Sequence, residues 1–146
     1  MLLIENTEKQ EMIDHAENTF PDECCGFLFG AEENGSRKIT CIKPAENVKA
    51  GDKMRRFEIS PLDYLKAERY AEENKLALLG IYHSHPDHPA IPSEYDREAA
   101  QPYFSYIILS VLNRKFNALR SWKLNDEFQF DEENVNFGQA LSMTKK

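Results

Sequence analysis

Three of the chain's four histidines lie within six positions, in the stretch GIYHSHPDHPAIPSEYD at 80–96. If the apolar run that leads into this stretch is a strand, His83 and His85 project from the same face, because side chains two apart on a strand point the same way. Pro86 ends that strand, and the loop that follows is long enough to return Asp96 to both imidazoles. Two nitrogen donors and one carboxylate suit a catalytic Zn²⁺ ion, which keeps a fourth position for water and lowers the pKa of that water to about 7.

Such a site also needs a base that accepts a proton from water and passes it to a leaving amine. Glu23 is the candidate, because it stands at the mouth of the apolar strand CCGFLFG. Ser93 and Asp96 fit a helix cap equally well, since a serine followed three positions later by an acidic side chain satisfies first-turn N–H groups, and the two roles can coexist. His88 lies outside the strand alternation and is interpreted as a loop histidine rather than a fourth ligand.

Other functions share parts of this pattern. Two histidines and a carboxylate also describe the facial triad of non-haem iron oxygenases, although the usual H-x-D/E order of that triad is missing here. A zinc deaminase would carry H-x-E and P-C-x-x-C, and the sequence contains neither. A third alternative, from a different class, is a catalytically silent module that keeps the fold for binding or assembly.

The composition predicts one globular domain in a reducing compartment. The 146 residues are 41% apolar and 29% charged, and the net charge of −7 argues against nucleic acid as a partner. The N-terminus has only four apolar residues before charge begins, and no later run approaches a membrane span, so we expect a soluble cytoplasmic protein without a membrane partner. Cys24, Cys25 and Cys41 are odd in number, and the adjacent pair Cys24 and Cys25 is interpreted as buried thiols. Neither the role of this pair nor the oligomeric state follows from the sequence.

Hydrophobic periodicity and turn residues place the candidate site on an alternation of helices and strands. Residues 1–133 are expected to form one domain and 134–146, which lack periodicity, a mobile tail. The loop over 43–56 carries five basic and two acidic side chains and is interpreted as solvated, with contact to the substrate as the alternative. The predicted elements, in order, are a helix over 7–20 opened by a capping box of Thr7 and Gln10, a hairpin of strands 24–30 and 37–43, a strand RFEI at 56–59, a helix from Pro61 to about Asn74, a buried strand 76–85, a short helix between Ser93 and Pro102, and strands around a turn at 113–115 with EFQF at 127–130 as a third.

Taken together, the spacing resembles the JAMM motif of JAB/MPN-domain zinc metalloproteases. That motif consists of an upstream glutamate, then H-S-H-P, then a serine separated from the second histidine by seven residues, within S-x-x-D. The matching residues here are Glu23, His83, Ser84, His85, Pro86, Ser93 and Asp96. The resemblance continues through ECCGFLFG, PAEN and FEISP and covers roughly residues 8 to 125.

The resemblance implies an α/β sandwich similar to that of cytidine deaminases, with a curved mixed sheet between helices on both faces. It also implies one zinc ion held by His83, His85 and Asp96, with Glu23 as general acid and base. By the same resemblance, Ser93 stabilises the oxyanion that forms on the scissile carbonyl, and Asn47 of the PAEN stretch contacts the substrate.

The compact build looks like bacterial members of the family, whose substrates tend to be ubiquitin-like sulfur-carrier proteins processed at a C-terminal glycine. The implied reaction is hydrolysis of a peptide or isopeptide bond by glutamate-assisted attack of zinc-bound water. An extended C-terminal tail of the carrier would add as a strand to a sheet edge beside the metal. Every motif position is retained, so we expect an active enzyme.

Overall fold

Three helices are interspersed among the strands of the described chain, and each of them overlaps a helix that the sequence predicts. The structure is a computed structural model that describes residues 1–138. The elements are, in order, β1 (Leu2–Ile4), α1 (Asn6–Thr19), β2 (Cys25–Glu33), β3 (Ser36–Ala45), α2 (Pro61–Glu73), β4 (Ala77–Pro86), α3 (Glu94–Ala99), β5 (Ser105–Leu112), β6 (Lys115–Leu124), β7 (Phe130–Glu133) and β8 (Val135–Phe137).

The strands form one mixed sheet in the order β7-β6-β5-β4-β2-β3-β1-β8. The β4–β5, β1–β3 and β1–β8 pairs are parallel, and the other neighbours are antiparallel. The sheet is curved. The strands that carry the candidate site, β2 and β4, lie at its centre, so the site is built on backbone that is paired on both sides.

Two hydrophobic cores, one on each face of the sheet, fix the helices. On one face, α1 packs its buried side chains against Leu28, Tyr82 and Ile107. On the other face, α2 packs the small side chains Ala67 and Ala71 against the aromatic and aliphatic side chains of β2 and β4. The predicted sandwich with helices on both faces is therefore confirmed.

A bulge in β4 decides which face the histidines occupy. Leu28 of β2 pairs with Gly80 and the next residue of β2 pairs with Leu78, so Leu79 has no partner on β2. As a result, Leu79 packs in the α1 core while Ile81, two residues later, packs in the α2 core. Alternation resumes after the bulge and directs His83 to the α2 face.

Two predicted elements differ in the structure. The stretch RFEI at 56–59 is not a strand, because its backbone is bonded to a side chain: the Asn47 Oδ1 accepts from the Glu58 N–H at 3.1 Å and the Asn47 amide donates to the Arg56 carbonyl at 3.1 Å. The predicted capping box of Thr7 and Gln10 is also wrong. Helix α1 starts at Asn6 after an N-cap Glu5 that makes no side-chain cap bond.

The sheet also gains short strands at its edges. Strand β1, which the sequence does not predict, has three residues, and β7 overlaps the predicted EFQF strand only at Phe130. Strand β8 lies within 134–146, where the sequence predicts no regular structure, and it pairs in parallel with β1. The rest of that predicted tail, 139–146, lies outside the described residues. Within 1–138, no helix combines the length and apolar character that crossing a bilayer requires.

Gly80 provides a test of the packing around the bulge. An alanine methyl group at this position would overlap the carbonyl oxygen of Ser105 on β5, a backbone atom held by the sheet. We expect Gly80→Ala to lower the free energy of unfolding by about 3 kcal/mol, measured by urea denaturation. Gly138→Ala is the matched control, because its methyl group would meet no atom closer than 3.6 Å. Equal midpoints for Gly80→Ala and wild type would contradict this contact.

Candidate metal centre and active site

The structure brings His83, His85 and Asp96 together at the C-terminal end of β4. One potential ligand atom from each residue lies within 4.8 Å of the others. The Nε2 atom of His85 is 3.1 Å from Oδ2 of Asp96, and Nε2 of His83 is 3.9 Å from Oδ1 of the same carboxylate. The loop therefore returns Asp96 to both imidazoles, as predicted.

Asp96 is placed by the first turn of α3. The Ser93 Oγ accepts the Asp96 N–H at 3.0 Å, and the Ser93 N–H donates to Asp96 Oδ2 at 2.9 Å. This reciprocal capping box fixes the carboxylate and leaves Oδ1 directed towards His83. The two sequence interpretations of Ser93 and Asp96, a helix cap and a metal site, are geometrically compatible.

Side chains of β5 and β6 hold the loop between β4 and α3 through the backbone carbonyls of the loop. The Trp122 indole donates to the Ala90 carbonyl at 3.1 Å, and the Ser110 hydroxyl donates to the His88 carbonyl at 2.6 Å. His88 itself is exposed and is not part of the donor group, which agrees with its interpretation as a loop histidine. These two bonds fix the loop that leads to Asp96.

The surroundings of His85 direct its Nε2 atom to the carboxylate of Asp96. Its Nδ1 is 2.8 Å from the Pro89 carbonyl, an atom that only accepts hydrogen bonds, so Nδ1 carries the proton. In the neutral ring, Nε2 then presents a lone pair to the Asp96 carboxylate. Either a proton on Nε2 or a metal cation between the two atoms satisfies both of them at this distance of 3.1 Å. A carbonyl bonded to the far nitrogen is also the usual support of a metal-binding histidine.

Electrostatics keep the carboxylate ionised. Burial would raise the pKa of Asp96, but the rings of His83 and His85 and the Ser93 N–H outweigh it and hold the pKa well below its usual range. Burial lowers the pKa of His83, but the carboxylates of Asp96 and Glu23 outweigh it and raise this pKa. The carboxylate of Asp96 is therefore available to a divalent cation as an anionic ligand.

Glu23 lies beside the donor group with an unsatisfied carboxylate. Cys25 pairs with His83 across the β2–β4 ladder, so the residue at the mouth of β2 is carried to the same end of the sheet. Glu23 is buried, and its Oε1 stands 3.6 Å from His83 Nδ1. Neither atom has a hydrogen-bond partner within the described residues. A buried acceptor without a partner is costly and is typical of a functional group awaiting a ligand.

Two side chains that the sequence did not assign to positioning hold Glu23 in place. The buried Ser84 Oγ accepts the N–H of Cys24 at 2.8 Å, and the Ser84 N–H donates to the Cys24 carbonyl at 3.2 Å. The Asn47 amide donates to the Glu23 carbonyl at 3.1 Å. The predicted substrate contact of Asn47 stays a prediction, and the structure shows its side chain bonded to the backbone of the chain. No local sequence signal reveals this, because the partners are distant along the chain.

The adjacent cysteines are not nucleophiles. Cys24 and Cys25 are both buried and free, as predicted, and Cys41 is half-buried. Burial raises the pKa of the Cys24 thiol to about 12 and raises that of Cys25 as well. Because the thiolate is the reactive form, neither thiol supplies a nucleophile near neutral pH.

Two hollows meet at the donor group. The first, called here the open cleft, has a volume of about 450 Å³, and its lining includes Glu23, Arg56, His85, Ser93 and Tyr95. The second, called here the apolar pocket, has a volume of about 140 Å³ and is lined by His83, Asp96, Tyr95 and side chains that include Phe57, Ile81, Tyr106 and Phe130. The open cleft has room for several residues of a peptide, whereas the apolar pocket has room for about one side chain.

Comparisons with known proteins identify a family, similar sequences and a similar structure. The family model of prokaryotic homologs of the JAB domain matches residues 7–125. A desampylase of Pyrococcus furiosus is 34% identical over 110 residues, 75% of this chain and 72% of the desampylase. A CysO-cysteine peptidase of Mycobacterium tuberculosis is 32% identical over 116 residues, 79% of this chain and 77% of the peptidase. The solution structure of a protein from Desulfitobacterium hafniense, 28% identical, superposes with a TM-score of 0.85 and covers 100% of this chain and 99% of its own.

The donor set makes a prediction about cation binding. We expect a divalent cation at 100 times its dissociation constant to stabilise the protein by about 2.7 kcal/mol, seen as a rise in the thermal unfolding midpoint. Asp96→Ala should abolish this rise, because two histidines remain without their carboxylate. Glu94→Ala is the matched control, since Glu94 is an exposed acid on the same helix, bound to Arg97. An undiminished rise in Asp96→Ala would exclude Asp96 as a ligand.

Proposed function

The chain belongs to the family of prokaryotic homologs of the JAB domain, and we propose on that basis that it is a zinc-dependent peptidase or isopeptidase. The proposed substrate is a ubiquitin-like sulfur-carrier protein, cut after its C-terminal glycine. The names of two relatives, desampylase and CysO-cysteine peptidase, support this class. The observation that carries the proposal is the convergence of two imidazoles and one carboxylate beside the buried, unpartnered carboxylate of Glu23.

His83, His85 and Asp96 would hold one zinc ion, since two nitrogen ligands and one oxygen ligand form a familiar catalytic zinc set. When bound, the ion supplies Lewis acidity, which acidifies water and polarises a carbonyl. Zinc rather than iron is proposed because of the family to which the chain belongs.

Glu23 is proposed to move the proton. Hydrolysis adds the hydroxyl of water to the carbonyl carbon and its hydrogen to the departing nitrogen as the C–N bond breaks. Glu23 accepts the proton from the attacking water and delivers it to that nitrogen, which leaves as a free amine. The buried position of Glu23 in the wall of the open cleft gives it access to both atoms.

Ser93 is proposed to stabilise the charge that develops on the carbonyl oxygen. Its Oγ already accepts the Asp96 N–H at 3.0 Å, so the hydroxyl proton remains available for donation. The residue is exposed in the wall of the open cleft. A donor aimed at the forming oxyanion lowers the barrier more than it strengthens binding of the ground state.

The edge of β3 is the proposed docking site for the carrier tail. Strand β1 pairs only with residues 37–39 of β3, so within 1–138 the stretch from Thr40 to Ala45 has a strand neighbour on one side only. Ala45 pairs with Cys25, and Cys25 pairs with His83, which places this free edge two strands from the donor group. An extended glycine-rich tail would add here through main-chain hydrogen bonds.

We also propose action in the cytoplasm, where three free thiols stay reduced.

Replacing Glu23 separates chemistry from metal binding. We expect Glu23→Gln to lower the rate of hydrolysis of a carrier with a C-terminal extension by about 10² to 10⁴-fold, because the amide cannot shuttle the proton. The zinc content should stay equal to that of wild type. Mass spectrometry of the products and metal analysis measure the two properties, with exposed Glu46→Gln as the control. Iron in the purified protein with oxygen-dependent turnover would contradict the proposal.

Ser93 variants distinguish a catalytic hydroxyl from a helix cap. We expect Ser93→Ala to lower kcat by about 10² to 10³-fold, the effect of removing one oxyanion donor. Ser93→Thr keeps a hydroxyl and should retain most of the rate. Ser93→Asp keeps a capping oxygen but has no hydroxyl proton. If Ser93→Asp, still loaded with zinc, cleaves at the wild-type rate, Ser93 is a cap alone.

A further inference from the structure

We propose that Arg56 binds a carboxylate on the departing part of the substrate, so that the chain prefers substrates whose leaving residue ends in a free α-carboxylate. The inference deepens the proposed function and rests on it. It names which side of the scissile bond the open cleft receives and what chemical group is recognised there.

The backbone of Arg56 is tied to that of the proposed proton carrier. The amide nitrogen of Asn47 donates to the Glu23 carbonyl at 3.1 Å and to the Arg56 carbonyl at 3.1 Å. One side-chain nitrogen therefore joins the two residues. Because the Asn47 Oδ1 also accepts the N–H groups of Lys49 and Glu58, the loop that carries Arg56 is fixed relative to Glu23.

The side chain of Arg56 is held over the cleft wall. Its guanidinium carbon lies 4.5 Å from the centre of the Tyr95 ring. Tyr95 stands on α3 between Ser93 and Asp96, so this contact carries the charge to the wall that presents the proposed oxyanion donor. Within the described residues, no acidic side chain forms an ion pair with Arg56. The N–H donors of a guanidinium lie in its plane, so contact between its face and an aromatic ring leaves them free to bind a carboxylate.

Proton delivery assigns the leaving group to the open cleft. The departing nitrogen must come within hydrogen-bond reach of Glu23. Glu23 and Arg56 both line the open cleft, and neither lines the apolar pocket. The residue that leaves with this nitrogen therefore occupies the cleft beneath Arg56. If that residue is the last one of the chain, its carboxylate is two bonds from the nitrogen and is presented to the guanidinium.

The charge distribution supports a small anionic group rather than a polyanion. The protein carries a net charge of −7 and would repel a nucleic acid as a whole. The cleft nevertheless has Arg55 and Arg56 on one rim. Arg55 is paired with Asp52 at 3.9 Å, and Glu94 in the same lining is paired with Arg97, so Arg56 is the rim charge suited to a single carboxylate close to the site.

The test uses two substrates that differ only in the group recognised. Short peptides that end in Gly-Gly-X, as the free acid or as the C-terminal amide, are cleaved by zinc-loaded enzyme and followed by mass spectrometry. We expect kcat/KM about tenfold higher for the acid, the size of one charge-assisted contact at an exposed site. A third substrate, the same tail joined to the ε-amine of a lysine in a peptide blocked at both ends, should react at the rate of the amide.

Arg56→Gln should abolish the preference, so that kcat/KM for the acid falls to the value that the same variant shows for the amide. Arg56→Lys should retain part of the preference, because the lysine ammonium keeps the positive charge but loses the paired donors of the guanidinium. Lys53→Gln is the matched control: it removes one positive charge from the same loop, and Lys53 does not line the cleft. Zinc content and the thermal midpoint of each variant verify that the fold is intact.

Equal kcat/KM for acid and amide with the wild-type enzyme would overturn the inference without any variant. An equal loss on both substrates in Arg56→Gln would make Arg56 a structural residue. A loss seen only with an intact carrier protein, and not with short peptides, would assign Arg56 to a protein-docking surface. The failure of the proposed function looks different, since wild type would then cleave neither peptide or would cleave both in the presence of a chelator.

Discussion

The site depends on a conflict between buried acceptors. The lone pair of one histidine faces a carboxylate, a second histidine faces a glutamate without a hydrogen bond, and all four groups are removed from bulk water. Such an arrangement is unfavourable unless positive charge enters it. Three features of the surrounding structure prevent these groups from moving apart. They are the β2–β4 register, the capping box of α3, and the hydrogen bonds from β5 and β6 to the loop before α3.

The centre also separates two environments. The side with Glu23 and Ser93 is open and lined by polar and basic groups, and the side with Phe57 and Phe130 is closed and apolar. The Phe57 ring stacks on His83 with ring centres 4.5 Å apart, which excludes water from one face of the imidazole. Water therefore reaches the centre from the side of Glu23, and the dry side strengthens electrostatic interactions at the centre.

Local spacing was sufficient to predict most of the site. The two-residue period of a strand aligned His83 with His85, and a four-residue capping pattern placed Asp96 at the start of a helix, because both rules act within a few bonds. Long-range pairing was not predictable. The unpaired Leu79 follows from the register of β2 against β4, and the loss of a strand at 56–59 follows from the Asn47 side chain. Strands of three residues, such as β1, carry too little periodicity to be recognised before their neighbours are known.

Helix α3 has six residues, far fewer than a helix needs to persist by itself in water. It has no buried residue, and its first turn is ordered by the same aspartate that faces the two imidazoles. An ion bound at this aspartate would therefore also favour the folded form of α3, and with it the position of Tyr95 in the wall of the open cleft.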